Sequence, residues 1–264
     1  MTICGDAKLV NSDDIQTGFQ KQLWSLGNIM RSDCSLFDAV MHMRGRVSTN
    51  PVDRVAGLAY LLWTVAIPAY YETQSEEDAW MALVNVMGPV FRAHLLFLYP
   101  SPGNGNKVWR PSWKQAMDET CLPEGKVNMH GWVEWDEETE TDRHNGVCIE
   151  EGYVRGLSVP GNAEDAERCR EIIVKDTKGV IHAFKIVATH HYPIPEDSYT
   201  LISIGNLPSR MENWVVGRRL PAQTFEKISV FKMTAKEIER LEDLGVAKDS
   251  YNYNQGYTMI IDDM

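Results

Sequence analysis

The sequence is poor in cysteine, and its few cysteines are not spaced for a recognisable purpose. Cys4, Cys34, Cys121, Cys148 and Cys169 are five in 264 residues. An odd, scattered set with no C-x-x-C pair builds neither a disulfide framework nor a zinc site, and it fits reduced thiols. No basic start followed by a long apolar run opens the chain, so no signal peptide is expected. The longest apolar stretches, near Leu58–Ala69 and Val90–Tyr99, are too short or too interrupted to span a bilayer. Positive charge is not in excess, with 26 Lys and Arg against 37 Asp and Glu. Such a balance has no general attraction for phosphate backbones, which argues against nucleic-acid partners. The expectation is a cytoplasmic protein that works away from membranes.

Motifs of catalysis are missing as well. No Gly-x-Ser-x-Gly occurs, so the serines lack a nucleophile-elbow context. Pro100-Ser101-Pro102-Gly103-Asn104-Gly105-Asn106 is glycine-rich but lacks the Gly-Lys-Ser/Thr ending of a phosphate loop and follows no strand, so it reads as a turn. The run Asp136-Glu137-Glu138-Thr139-Glu140-Thr141-Asp142 has no alternating oxygen ligands around a turn glycine, as calcium would need, and reads as a solvated loop between strands. Cys121 or Cys148 beside His130 or His144 would be a nucleophile pair only with a thiolate-favouring environment, and the acidic surroundings work against one. His182 and His190 fall on one face of an expected strand but about 26 Å apart, too far to share a metal unless the strand bends sharply. No catalytic residue, metal or cofactor is therefore expected.

What is present is enough apolar content for a core, 44% of residues, and eight tryptophans that call for burial. The acidity is local. Residues 111–152 carry 3 basic and 11 acidic groups, whereas 1–110 carry 9 and 10, and 153–264 carry 14 and 16.

Helical periodicity fills the first hundred residues. Residues 12–30 follow a Ser12 cap, and Leu36 to Arg44 form a short helix ended by Gly45. A helix from Asn50-Pro51 runs towards Ala66 with Val55, Leu58, Ala59, Leu62, Trp63 and Ala66 on one wide apolar face, and it is the expected centre of the core. Ser75 caps the next helix, Gly88-Pro89 breaks it, and Val90–Tyr99 resumes it. A short helix or turn follows Trp113, and residues 118–152 read as loop-rich.

From Gly152 the pattern turns to β. Strands are expected over Tyr153–Val159, Glu171–Lys175, Val180–His190, Tyr199–Ile204, Trp214–Arg218, Ile228–Met233 and Tyr257–Ile261. One helix with a Thr234–Glu237 capping box and a Gly245 stop interrupts them. The expected fold is α+β, with a helical region over 1–104 packed on a mostly antiparallel β-rich region over 105–264 that holds one or two helices.

Two groups of side chains are candidates for binding or for a structural latch. Arg44, Arg46, Asp53 and Arg54 cluster at the start of the central helix, and Trp109, Arg110 and Trp113 follow the proline-glycine turn. Arginine between tryptophans stacks on rings or clamps carboxylates. His190-His191 at a strand end is the third candidate. These polar groups among aromatics leave open a small-molecule-binding protein or a hydrolase-like enzyme with a His/Arg/Trp-lined cleft.

The stretch Met43-Arg44-Gly45-Arg46 … Thr49-Asn50-Pro51-Val52-Asp53-Arg54-Val55-Ala56-Gly57-Leu58-Ala59-Tyr60-Leu61-Leu62 resembles the segment downstream of the conserved domain in fungal heterokaryon-incompatibility proteins. Ile67-Pro68-Ala69-Tyr70-Tyr71, Asp78-Ala79-Trp80 and Trp109-Arg110-Pro111-Ser112-Trp113 continue it over residues 36–115. Ala188-Thr189-His190-His191-Tyr192-Pro193-Ile194-Pro195 and Trp214-Val215-Val216-Gly217-Arg218 look like C-terminal parts of mushroom members. The family's defining Ser-Tyr-x-Trp-Gly and Trp-x-Asp-x-x-Cys-Ile-Asp/Asn-Gln motifs do not occur, so the activity of that domain does not carry over. The resemblance implies a regulatory or interaction module of fungal non-self recognition and cell death with a protein partner, or an inactive truncated product of such a gene.

Overall fold

The computed structural model describes residues 35–62, 64, 66–71, 73–105, 107–119, 121–122, 131–161, 167–204, 211–246, 248–249 and 257–259. The helix expected over 12–30 lies outside them. Helix α1 (Leu36–Arg44) starts with a capping box, in which the Ser35 hydroxyl accepts from the Asp38 amide at 3.2 Å and the Asp38 carboxylate accepts from the Ser35 amide at 3.4 Å. Helix α2 (Val52–Leu61) has the Asn50 side chain accepting from the Val52 amide at 3.2 Å, with Pro51 entering the first turn. It is shorter than the periodicity predicts. Ala66 lies beyond it and is exposed, while Trp63 is outside the described residues. Helices α3 (Glu76–Val86) and α4 (Pro89–Leu98) are separated by the expected Gly88-Pro89 break. A second capping box, from Ser112 and Gln115, opens the short α5 (Trp113–Asp118).

Val55, Leu58 and Leu62 are buried as expected. The helix enclosed on all sides is nonetheless α4, where every residue from Arg92 to Leu98 is buried, whereas α2 leaves Asp53 and Tyr60 exposed. An amphipathic helix lies on a core, and a helix with so continuous an apolar run lies inside one.

The segment expected as loop-rich holds regular structure. β1 (Val133–Asp136) and β2 (Thr141–His144) form an antiparallel hairpin, and β3 runs from Val147 to Arg155. Then come β4 (Arg168–Lys175), β5 (Ile181–Ala188), β6 (Ser198–Ser203), β7 (Met211–Leu220) and β8 (Thr224–Thr234). Helix α6 (Ala235–Asp243) follows, and the short β9 (Lys248–Asp249) and β10 (Tyr257–Met259) complete the described strands. Thr234 has the extended backbone of a cap but makes no side-chain capping bond, so the expected box is not formed. Gly245 at φ +59° supplies the predicted stop.

Strand pairing runs β8-β5-β4-β3-β6-β7, and β7 pairs again with β8. Six antiparallel strands thus close into a barrel, which leaves none of the six with a free edge over its whole length. The residue pattern does not predict this closure. The β5–β8 seam that makes it joins only Ile186 to Met233 and Val187 to Lys232. Ile172, Val174, Phe184, Ile186, Trp214, Val216, Phe231 and Met233 form one apolar cluster, and Leu241 of α6 joins it. Alternate residues of the same strands, such as Val215 and Val230, belong with Ile202 and Phe225 to a second cluster built mainly from α1–α5. The period-two alternation of β7 and β8 therefore serves the two cores at once. The fold is α+β, with helices in the N-terminal half and antiparallel sheet in the C-terminal half. No helix among the described residues is long and apolar enough to cross a membrane.

Candidate functional site

The most concentrated set of charged side chains lies where α4 meets the β1–β2 hairpin. The apolar run of α4 carries one guanidinium, Arg92, which is 1% exposed. A buried cation needs a partner, and it finds one in Asp142 of β2, which is fully buried. The same carboxylate accepts from Lys107 Nζ at 2.6 Å and from Trp109 Nε1 at 2.9 Å. Two indoles complete the enclosure. The Arg92 guanidinium lies 5.6 Å from the Trp109 ring centre and 5.7 Å from that of Trp135, and Lys107 Nζ lies 4.2 Å from Trp135.

This corrects the reading of the acidic run. Residues 137–140 do form the turn between β1 and β2, and all four are exposed there. Asp142 belongs to β2, and β2 turns Asp142 and His144 inward together. His144 has Nδ1 2.8 Å from the Trp132 carbonyl and Nε2 2.9 Å from the Ser203 carbonyl, edge-on to Phe97, so neither nitrogen is offered to a thiol. Burial pushes its pKa down, against the pull of those two carbonyls.

The arginines and tryptophans singled out in the sequence meet carboxylates beside this cluster. Arg110 is 1% exposed. Its Nη1 donates to the Pro111 carbonyl at 3.2 Å and lies 3.4 Å from Glu77 Oε1. Glu77 Oε2 accepts from the Trp113 amide at 2.6 Å. Glu76 Oε1 takes both Arg54 at 2.6 Å and Trp113 Nε1 at 3.0 Å, with the Arg54 guanidinium 5.7 Å from the Trp113 ring centre. Arg44 donates from Nε and Nη2 to the Ala116 carbonyl at 3.3 and 2.8 Å and also reaches the Glu119 carbonyl, so it satisfies the last turn of α5. Arg46 is half-buried and Asp53 exposed, away from these contacts.

The histidine candidates do not join this group. His190 lies past the end of β5 and has Nε2 2.7 Å from the Val230 carbonyl. Burial, with Arg168 and other cations near it, lowers its pKa to about 4. His191 is exposed.

Sequence reasoning misses Arg92, Lys107, Trp135 and Lys227. One signal exists for Arg92, a lone charge inside the run Val90–Tyr99. Lys227 of β8 is fully buried and donates to the Leu96 carbonyl at 2.7 Å, while Ser229 donates to the Pro100 carbonyl at 2.8 Å. The strand thus serves carbonyls that the end of α4 leaves open. Burial drives the Lys227 amine down to about 7.

Electrostatically the cluster is rich in cations. Burial and the Arg110 guanidinium push Arg92 down to about 9. Burial, Arg110 and Arg92 push Lys107 down to about 7, against the pull of Glu140. Arg110 is lowered by burial, with Glu77 opposing. Among the described residues, Arg92 Nε and Arg110 Nη2 have no hydrogen-bond acceptor. An arrangement that offers N–H donors and aromatic walls is suited to holding negative charge. Comparison with protein-family models, with curated proteins and with solved structures gave no match.

Proposed function

We propose that this chain is a non-catalytic regulatory or interaction module of a cytoplasmic fungal non-self-recognition protein of the heterokaryon-incompatibility type. One observation carries the reading. The arginines and tryptophans of the helical half bind the carboxylates and carbonyls of neighbouring helices. Arg54, Glu76, Glu77, Arg110 and Trp113 tie α2, α3 and the start of α5 together, and Arg44 ties α1 to the end of α5. The same residues lie in the stretch that resembles the region downstream of the conserved heterokaryon-incompatibility domain. The helical half leaves Met41, Tyr60, Ile67 and Tyr71 exposed, between 51% and 67%.

Expression in a fungal host, scored for growth arrest and for a captured partner, tests the proposal. Growth arrest with a specific partner supports it. Normal growth and no partner count against it. Replacement of Tyr60 and Tyr71 by serine should abolish the capture without lowering the melting temperature, since both side chains are exposed.

A further inference from the structure

We propose that the Arg92–Lys107–Arg110 cluster binds a small oxyanion, a phosphate or carboxylate group, between the Arg92 and Arg110 guanidiniums. Three cationic side chains, each no more than 5% exposed, gather at the junction of α4, the 101–112 segment and the β1–β2 hairpin. Among the described residues two carboxylates lie within ion-pair distance of them, and Glu140 acts on Lys107 from farther off. Asp142 is fully buried and already takes Arg92, Lys107 and the Trp109 indole. Glu77 is a quarter exposed, meets Arg110 at 3.4 Å, and is held more closely by the Trp113 amide at 2.6 Å. The neutralisation of Arg110 is thus loose. Two buried guanidinium N–H groups, Arg92 Nε and Arg110 Nη2, lack an acceptor among the described residues. A buried donor without an acceptor and a cation without a counter-charge both raise the energy of the fold, and one oxyanion relieves both. Guanidinium forks match the oxygens of carboxylate and phosphate, and the Trp109 and Trp135 rings keep bulk water from the cations they cover.

The test uses the full chain. Inorganic phosphate, titrated against sodium chloride at equal ionic strength, should raise the melting temperature and shift the Arg92 Nε–H, Arg110 N–H and Trp109 Nε1–H resonances in nitrogen–proton spectra. A parallel titration with acetate separates the two oxyanion classes. The stronger of the two names the group the site takes. Arg110→Lys keeps the charge but loses the fork and should weaken binding by about tenfold, whereas Arg155→Lys, on the outer sheet, should leave it unchanged. The proposal is overturned if neither anion does more than chloride, or if the Arg92 and Arg110 signals stay still while the protein is stabilised. The resonances are read on the unaltered protein, so either outcome decides the matter even where Arg110→Lys fails to fold.

Discussion

Arg92 of α4 and Asp142 of β2 form an ion pair in which the two side chains are 1% and 0% exposed. The pair joins the most enclosed helix to the hairpin that the acidic segment makes. Removing one member of such a pair leaves the other charge uncompensated in the interior. Asp142→Asn is expected to destabilise the protein by about 3–5 kcal/mol in urea unfolding. Glu138→Gln, in the same acidic run but exposed on the turn, should change stability by less than about 0.5 kcal/mol. Equal effects would place Asp142 in solvent.

Lys227 sets a pH dependence on the alkaline side. Its amine is lowered from 10.5 to about 7 by burial. Unfolding therefore takes up a proton across that window, and stability rises as pH climbs from about 7 towards 10.5. Lys227→Met should remove its share, on the order of a few kcal/mol, and flatten the rise measured between near-neutral and alkaline buffer.

His190 acts on the acid side. Its pKa falls from 6.5 to about 4, so the unfolded chain holds a proton that the folded chain refuses between those values. The corresponding stability is present above 6.5 and is lost as pH falls towards 4. Carboxylates titrate in the same range, so the informative quantity is a difference. His190→Gln should lose at most about 3 kcal/mol less than the wild type over this acid limb.

Two glycines should respond oppositely to alanine. At Gly217, beside the register shift between β7 and β8, an added Cβ would collide with the Phe225 ring and the Glu226 carbonyl oxygen. Backbone cannot step aside cheaply, and a cost of about 3 kcal/mol is expected. At Gly57, inside α2, the nearest atom is the flexible tip of Met43, at 2.7 Å. Helix propensity favours alanine there by about 1 kcal/mol, so Gly57→Ala should be near neutral or stabilising. Paired denaturant curves check both.

Much of this fold is legible in the residue pattern. Ser75, Gly88-Pro89 and Gly245 are local signals, and the structure obeys each of them. The barrel is hidden because closure depends on which strands meet, and the short β5–β8 seam has no signature of its own. The latch of Arg54, Arg110 and Trp113 is visible as a cluster in sequence. Its carboxylates, Glu76 and Glu77, have the pattern of helix-start residues, and they serve both roles. Asp142 escapes the pattern for a physical reason. Charge density along a chain averages over neighbours, and the strand that follows the turn sends Asp142 inward and Arg143 outward. Its partners Arg92 and Lys107 come from distant segments, so no window on the sequence contains the set.

The position of β10 has a consequence for how the molecule is made. Tyr257–Met259 pairs with β2 on one side and, in parallel, with β8 on the other, and in the strand order it alone stands between the hairpin and the barrel. Among the described strands it is also the last to leave the ribosome. A nascent chain with its barrel already formed still lacks this bridging strand, so the hairpin bearing Asp142 gains its sheet connection only once Tyr257–Met259 has been made. Assembly of the two parts is in this sense timed by synthesis itself.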